Sequence, residues 1–233
     1  MHIFLKQRYI TLYGSSWSQL KNKAVLYINP INFDLFRGKK LPNNVYYRVD
    51  GIFTTWIFKW IFGLKEISPE SFDFSSVAGN VFQLIVAENL VVNIFGGDVS
   101  DIDVFLKYLK VRYPSIRIGY SSHGYDSEDE IIEQIKANHA DINILGLGSP
   151  KQENIAIRLC RSGWGGTIFC CGGLISQTAS ANGLFYPPFV VSLNIRWIYR
   201  IYKRPAHILR FAVYPYFFLK CILLRLREIN KNI

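Results

Sequence analysis

Cysteine and acidic residues are scarce in this chain, and both facts limit the class of protein to which it can belong. Of 233 residues, 4 are cysteine, 17 are acidic and 27 are lysine or arginine. Four cysteines are too few for a disulfide scaffold, and none forms the paired C-x-x-C spacing of a zinc site. The N-terminal segment also lacks the apolar stretch and cleavage site of a signal peptide. We therefore expect a reduced, cytoplasmic protein.

Long hydrophobic runs are missing as well. A membrane-spanning helix needs about 20 mostly apolar residues, and the most apolar part of the C-terminal segment, residues 211–224, is interrupted by Pro215 and Lys220. The uncharged run 162–195 is longer, but its paired glycines and Pro187-Pro188 indicate strand, loop and turn. We predict no membrane span. Because 50% of the chain is apolar and 15% aromatic, it can build a sizeable core, which excludes disorder as the bulk state.

Positive charge is concentrated at the C-terminus. Residues 196–233 carry nine lysines and arginines and one acid, so they hold +8 of the formal net charge of +10. Bulky apolar residues lie between these charges, which is typical of helices that rest on an anionic membrane surface. The alternative is an ordinary amphipathic helix packed on the domain, with its cations in solvent. No zinc-finger spacing or RNA-recognition signature is present, so we predict no nucleic-acid partner.

Short apolar runs alternate with helix-length segments through the first two hundred residues. This rhythm predicts an α/β fold of the Rossmann-like type, a parallel sheet with helices on both faces. We divide the chain into a Rossmann-like domain, residues 1–195, and a basic amphipathic helical appendage, residues 196–233. The predicted strands are Ala24–Asn29, Leu90–Phe95, Ile116–Tyr120, Ile142–Gly146 and Thr167–Cys171, with helices beginning near Asp98, Glu128 and Pro150.

Glycine-rich loops follow three of these strands, where open parallel sheets bind their ligands. The sharpest is LGLGSPKQE, residues 145–153, in which Ser149 and Gln152 have the spacing of a capping box around Pro150. An exposed helix N-terminus beside glycines suits a phosphate or diphosphate; the alternative is a capped turn with no ligand. Lys151 replaces the third glycine of the dinucleotide fingerprint, and no Walker sequence is present. The glycines of interest are Gly96, Gly97, Gly146 and Gly148.

Asp50 is the strongest single candidate for an acid or base. It lies in YYRVDGIF, residues 46–53, among aromatic and aliphatic side chains. Enzymes use carboxylates in such surroundings as general bases, although an Asp-Gly pair is also a common turn. The four histidines have no metal-ligand spacing with nearby Cys or Asp, so we predict no metal and no other cofactor.

A cationic face is predicted in RWIYRIYKRPAHILRF, residues 196–211. Arg200, Arg204 and His207 are four and then three residues apart, and Arg210 follows after three more. Pro205 breaks the helix. Such a face could clamp a diphosphate or contact lipid phosphates, or it could be merely solvated.

These features, in this order, resemble the WecG/TagA/CpsF family of bacterial glycosyltransferases, glycosyltransferase family 26. The resemblance covers most of residues 24–211. Its strongest element is GLGSPKQE, like the family's G-x-G-x-P-K-Q-E. The others are the Asp-Gly pair at Asp50, GGDVSD from Gly96, YPSIRIGYSSHGYDSEDE from Tyr113 and WIYRIYKRPAHILR from Trp197.

The resemblance implies an inverting hexosyl- or N-acetylhexosaminyltransferase. It would move a sugar from a UDP-sugar to a polyprenyl-diphosphate-linked saccharide in surface or exopolysaccharide synthesis. It would work peripherally on the inner face of the plasma membrane without an obligatory metal. The family's base falls on Asp50, and its diphosphate-binding cations fall on Arg200, His207 and Arg210. Gln152 and its loop, with Ser149, the four glycines and Asn29, would line the substrate site.

Several positions depart from the family pattern. Arg196 stands where a Glu usually precedes the Trp, and His207 replaces an arginine. The Glu-Arg-Val-x-Gly-x-Asp element survives only as SSVAGNV from Ser75, without its Arg or Asp, and LISQ follows Gly173. Tyr27 stands where a small hydroxyl residue is expected. These departures favour a second hypothesis, a catalytically silent member that binds a nucleotide-sugar or a partner enzyme. The sequence leaves open whether the chain forms a homo-oligomer.

Overall fold

Six parallel strands form a single sheet in the order β2-β1-β6-β5-β3-β4. The structure is a computed structural model that describes residues 8–36, 41–203 and 205–230. The strands are β1 (Ala24–Ile28), β2 (Val45–Val49), β3 (Val91–Gly96), β4 (Arg117–Ser122), β5 (Ile142–Gly146) and β6 (Thr167–Cys170). The predicted Rossmann-like parallel sheet is therefore confirmed.

Helices cover both faces of this sheet, as predicted. In chain order they are α1 (Trp17–Leu20), α2 (Ile52–Phe62), α3 (Ala78–Ala87), α4 (Val99–Arg112), α5 (Glu128–Ala137), α6 (Lys151–Arg161), α7 (Leu174–Ala181), α8 (Pro188–Ser192), α9 (Arg196–Lys203) and α10 (Val213–Asn230). Short 3-10 helices span Phe33–Phe36 and Pro205–Ala212.

Successive strand residues point to opposite faces and build two cores. In β1, Leu26 and Ile28 join the core under α2, α5, α6 and α10, whereas Val25 and Tyr27 join the core under α3, α4 and α7. All five residues of β1 are buried, as a central strand covered on both faces requires.

Strand β2 was missed by the sequence analysis. Its fourth residue, Arg48, is only 2% exposed, and a charged residue at that position conceals the apolar pattern of a buried strand. Arg48 forms an ion pair with Glu70, which is also buried, and its guanidinium lies 4.6 Å from the ring centroid of Tyr9. Pairing makes this burial tolerable, because an unpaired buried charge is strongly destabilising.

The C-terminal segment is partly packed on the domain. Helix α9 ends at Lys203, so the predicted break at Pro205 is confirmed. In α10, Phe217 and Cys221 are buried, and the Phe217 ring lies 4.8 Å from that of Phe33. None of the helices in the described ranges has the length and apolar content needed to cross a membrane.

Candidate active site

A cavity of about 340 Å³ opens at the carboxyl ends of four neighbouring strands. This is the edge at which open parallel sheets bind ligands. Loops after β1, β2, β5 and β6 form its base, and α9 and the start of α10 close one side. Its lining includes Tyr27, Asn29, Asp50, Ser71, Asp73, Gly148, Ser149, Gln152, Cys171, Gly172, Gly173, Trp197, Arg200 and Tyr214.

Asp50 enters this cavity directly from the end of β2. Its backbone N–H donates to the Ile28 carbonyl at 2.9 Å, which extends the pairing with β1 by one residue. Gly51 then takes φ = 80°, a left-handed value suited to glycine, and α2 begins at the next residue. The Ser71 hydroxyl donates to Asp50 Oδ1 at 3.0 Å. The Asp-Gly pair thus holds a carboxylate at the pocket floor.

Arg200 reaches the same cavity from α9. Its Nη2 and Nε donate to the hydroxyl of Tyr186 at 2.7 and 3.0 Å, so two bonds fix the plane of the guanidinium. Burial disfavours its charged form, but Tyr186 and Asp50 outweigh that effect, so the pKa of Arg200 lies above its ordinary value. A permanent cation therefore faces the pocket that contains Asp50.

The loop after β5 is built differently from the prediction. Helix α6 begins at Lys151 with Pro150 as its N-cap residue and no side-chain cap, so the predicted capping box at Ser149 and Gln152 is wrong. The physical reason is a stronger partner: the Ser149 hydroxyl and the Gln152 amide both donate to Glu153 Oε1 at 2.9 Å. Gln152 Oε1 in turn accepts from the Gly172 N–H at 2.9 Å, which joins the loops after β5 and β6.

Glu153 ties a third loop to this network. Asn32, in the turn after β1, donates from Nδ2 to Glu153 Oε1 at 3.0 Å. Burial raises the pKa of Glu153, although the three hydrogen bonds oppose the shift. Asn29, which lines the cavity, accepts through Oδ1 from the backbone N–H groups of Ile31 and Asn32. One hydrogen-bond network therefore joins the loops after β1, β5 and β6.

The sequence of this chain matches a known protein family over most of its length. The family model described as the glycosyl transferase WecG/TagA/CpsF family matches residues 39–231. The chain belongs to this family.

Two similar proteins have names that state the sugar-transfer reaction they carry out. A UDP-Gal:alpha-D-GlcNAc-diphosphoundecaprenol beta-1,4-galactosyltransferase of Shigella boydii is 31% identical over 215 residues, which are 87% of this chain and 89% of the relative. An N-acetylglucosaminyldiphosphoundecaprenol N-acetyl-beta-D-mannosaminyltransferase of Staphylococcus aureus strain MW2 is 33% identical over 115 residues, 48% of this chain and 44% of the relative.

The cavity brings together most of the residues predicted for the site. Asn29, Asp50, Gly148, Ser149, Gln152 and Arg200 all line it. Gly96, Gly97 and Gly146 are not among its lining residues. A Cβ atom on Gly96 would lie 2.3 Å from the Gly146 carbonyl oxygen, so close packing of β3 against β5 accounts for this glycine. Arg204 and the side chains of His207 and Arg210 lie outside the described residues.

Three further residues of the site, two in the pocket lining and one beside it, escaped sequence reasoning. Ser71 and Asp73 come from an extended segment whose Pro69 bridges to Val49, and Tyr186 orients Arg200 from beside the pocket. The sequence carried one signal, since Glu70 and Asp73 are two acidic residues in a stretch with two phenylalanines. Both acids are buried in the structure. Buried acids mark paired or functional groups.

Proposed function

We propose that this protein is an inverting glycosyltransferase of bacterial surface or exopolysaccharide synthesis. It transfers a hexose or N-acetylhexosamine from a UDP-sugar to a saccharide linked to polyprenyl diphosphate. Family membership and the names of the two relatives support the reaction class and a lipid-diphosphate acceptor. The observation that carries the proposal is the pairing of one carboxylate, Asp50, and one oriented guanidinium, Arg200, in a single cavity.

Asp50 and Arg200 have different roles in the proposed transfer. The Asp50 carboxylate accepts the proton of the acceptor hydroxyl while the hydroxyl oxygen forms a bond to the anomeric carbon of the donor. The bond from that carbon to the UDP oxygen breaks, and its electron pair moves onto the diphosphate. Arg200 stabilises the developing negative charge. A single displacement of this kind places the new bond on the opposite face of the sugar, which inverts the anomeric configuration.

The loops after β5 and β6 suit the diphosphate end of the donor. Gly148 and Gly172 have φ values of 76° and 59°, and both glycines line the cavity. Loops of this type bring backbone N–H groups close to phosphate oxygens. Hydrogen bonds through Gln152 and Glu153 hold the two loops together. The predicted absence of a metal stays a prediction.

The lipid-linked acceptor requires contact with a membrane, and an exposed apolar surface adjoins the pocket. Helix α2 starts beside Asp50 and exposes Trp56 (64%) and Trp60 (75%). Helix α10 packs against α2, with the ring of Phe218 stacked on that of Trp60, and it exposes three leucines, Leu219, Leu223 and Leu226. Exposed tryptophan and leucine side chains on two packed helices are typical of surfaces that enter the headgroup region. We propose that this α2–α10 surface, together with the basic residues of the 196–233 appendage, seats the protein on the inner face of the plasma membrane.

Removing the two tryptophans should detach the protein from lipid. We expect the double variant Trp56→Ser, Trp60→Ser to lose at least about tenfold in its partition onto anionic vesicles, because each buried aromatic contributes on the order of 1 kcal/mol or more. Vesicle flotation measures this partition. The matched control is Val111→Ser with Tyr125→Ser, two apolar residues that are exposed elsewhere. Equal flotation of the tryptophan variant and the wild type would contradict the assignment of this surface.

Product analysis tests the reaction itself. The purified protein is incubated with each of a panel of UDP-sugars and a GlcNAc-diphosphate-lipid, and the lipid is analysed by mass spectrometry and NMR. We expect one donor to add one hexose or N-acetylhexosamine residue, with a β-anomeric proton when the donor is α-linked. Retention of configuration would overturn the single displacement. UDP binding by calorimetry with no product from any donor would favour the catalytically silent alternative.

A further inference from the structure

Helix α9 holds Arg200 over the pocket, yet it has no buried residue of its own among the described ones. A helix of eight residues without a buried apolar face is not held in place by the hydrophobic effect. Ring contacts from Tyr199 to Phe185 and Tyr186 support its middle. Polar contacts with the domain add to this support, and they are made by Arg200, through Tyr186, and by Arg196 at the start of the helix.

Arg196 contacts three groups on the domain. Its Nη2 donates to the Ser75 carbonyl at 3.2 Å, its Nη1 lies 3.9 Å from Asp73 Oδ2, and its guanidinium carbon lies 5.7 Å from the ring centroid of Tyr186. Tyr186 is the residue that also orients Arg200. Arg196 and Arg200, one helical turn apart, thus share one aromatic ring.

Hydrogen bonds from Ser75 orient the Asp73 carboxylate for its contact with Arg196. It is 7% exposed, and its Oδ1 accepts hydrogen bonds from the backbone N–H and hydroxyl of Ser75. This leaves Oδ2 on the side of Arg196. Burial raises the pKa of Asp73, and Arg196 opposes that shift, so the arginine favours the ionised form. The carboxylate lines the same cavity as Asp50 but is committed to structural contacts.

We propose that Asp73 and Arg196 are a pair of positioning residues that seats α9 so that Arg200 faces Asp50. The proposal rests on the proposed transferase function for its effect on rate, but its effect on α9 is independent of that function. Neither residue transfers a proton or contacts the breaking bond. Their loss lowers the fraction of molecules in which Arg200 is in place, and this lowers kcat more than it changes the affinity for UDP.

A double-mutant cycle tests the pair. Asp73→Asn keeps an acceptor for Ser75 but removes the charge, and Arg196→Gln removes the cation. We expect each single variant to lose about tenfold in kcat/KM and the double variant to lose about the same, because coupled residues do not add. Arg196→Lys should recover part of the loss. Independent sites would instead give a loss of about a hundredfold in the double variant, which would overturn the pairing.

Hydrogen exchange supplies a readout that does not depend on catalysis. In the full-length protein, amides of residues 196–203 should exchange about tenfold faster in Asp73→Asn and Arg196→Gln, while those of β1 and β5 stay unchanged. Arg161→Gln, an exposed arginine at the far end of α6, is the matched control. Unchanged exchange in 196–203 in both variants would overturn the proposal. Faster exchange in a protein that transfers no sugar would uphold the pair and reject the proposed function.

Discussion

Replacing Asp50 by asparagine will lower the rate of sugar transfer by about a thousandfold, the middle of the range for loss of a general base. The amide cannot accept the acceptor hydroxyl's proton at neutral pH. The fold should persist, because the Ser71 hydroxyl can donate to the Asn oxygen as it does to Asp50 Oδ1. Initial rates of product formation at saturating donor and acceptor measure the effect, and calorimetry checks that UDP still binds.

Asp103→Asn is the control for this substitution. Asp103 is an exposed residue of α4, away from the cavity lining, and the same change there should leave the rate within about twofold, as expected for a surface substitution. Wild-type transfer by Asp50→Asn would remove this residue from the mechanism. The remaining carboxylate of the pocket, Asp73, would then have to be tested as the base.

Replacing Arg200 by methionine will lower kcat by about a hundredfold to a thousandfold, in line with losing one preorganised donor to a developing negative charge. Methionine fills much of the same volume but has neither charge nor donors. The effect should fall mainly on kcat, since the charge on the leaving diphosphate grows during bond breakage. Arg200→Lys should recover only part of the rate, because an ammonium cannot make both bonds to the Tyr186 hydroxyl.

Two measurements separate this role from a general loss of stability. Arg161→Met, an exposed substitution, should leave kcat unchanged, and thermal unfolding of Arg200→Met should shift by no more than a few degrees, as a change of about 1 kcal/mol does in a chain of this length. An unchanged kcat in Arg200→Met would assign the leaving-group charge to another cation.

Much of the fold follows from short-range patterns. Strand β5 was predicted with its observed bounds, and β1, β3, β4 and β6 within two residues, because continuous apolar runs between glycine-rich loops indicate buried parallel strands. Strand β2 could not be read in this way. Its burial depends on Glu70, which is 22 residues from Arg48 and meets it only in the folded chain.

The residues of the candidate site also fall into two groups, those that a local sequence pattern indicates and those that only the folded chain brings together. Asp50 and Gln152 belong to local motifs, and Arg200 to a helical spacing, so all three were accessible from the sequence. Tyr186 and Ser71 act through contacts with distant residues, which no local pattern reveals, whereas Asp73 carried only the weak local signal of an acid between two phenylalanines. The capping-box error at Ser149 has a local origin: Glu153, only four residues further along the chain, accepts the hydrogen bond of the Ser149 hydroxyl in the folded loop.

The structure shows a contact between two of the positions that depart from the family pattern. Arg196, which stands where a glutamate is usual, meets the backbone of Ser75, the start of the element that lacks its arginine. Asp73 Oδ2 lies 3.9 Å from the Nη1 of the same arginine. The two departures are therefore joined by a direct contact in this chain, and they do not by themselves argue for a silent protein.

The most direct test of the central claim is the release of UDP with and without a lipid-diphosphate saccharide. The wild type is compared with Asp50→Ala across a panel of UDP-sugars in detergent. The account predicts that one donor releases UDP only when acceptor and Asp50 are both present. Release that persists without acceptor or without Asp50, or no release from any donor by a protein that binds UDP, would contradict it.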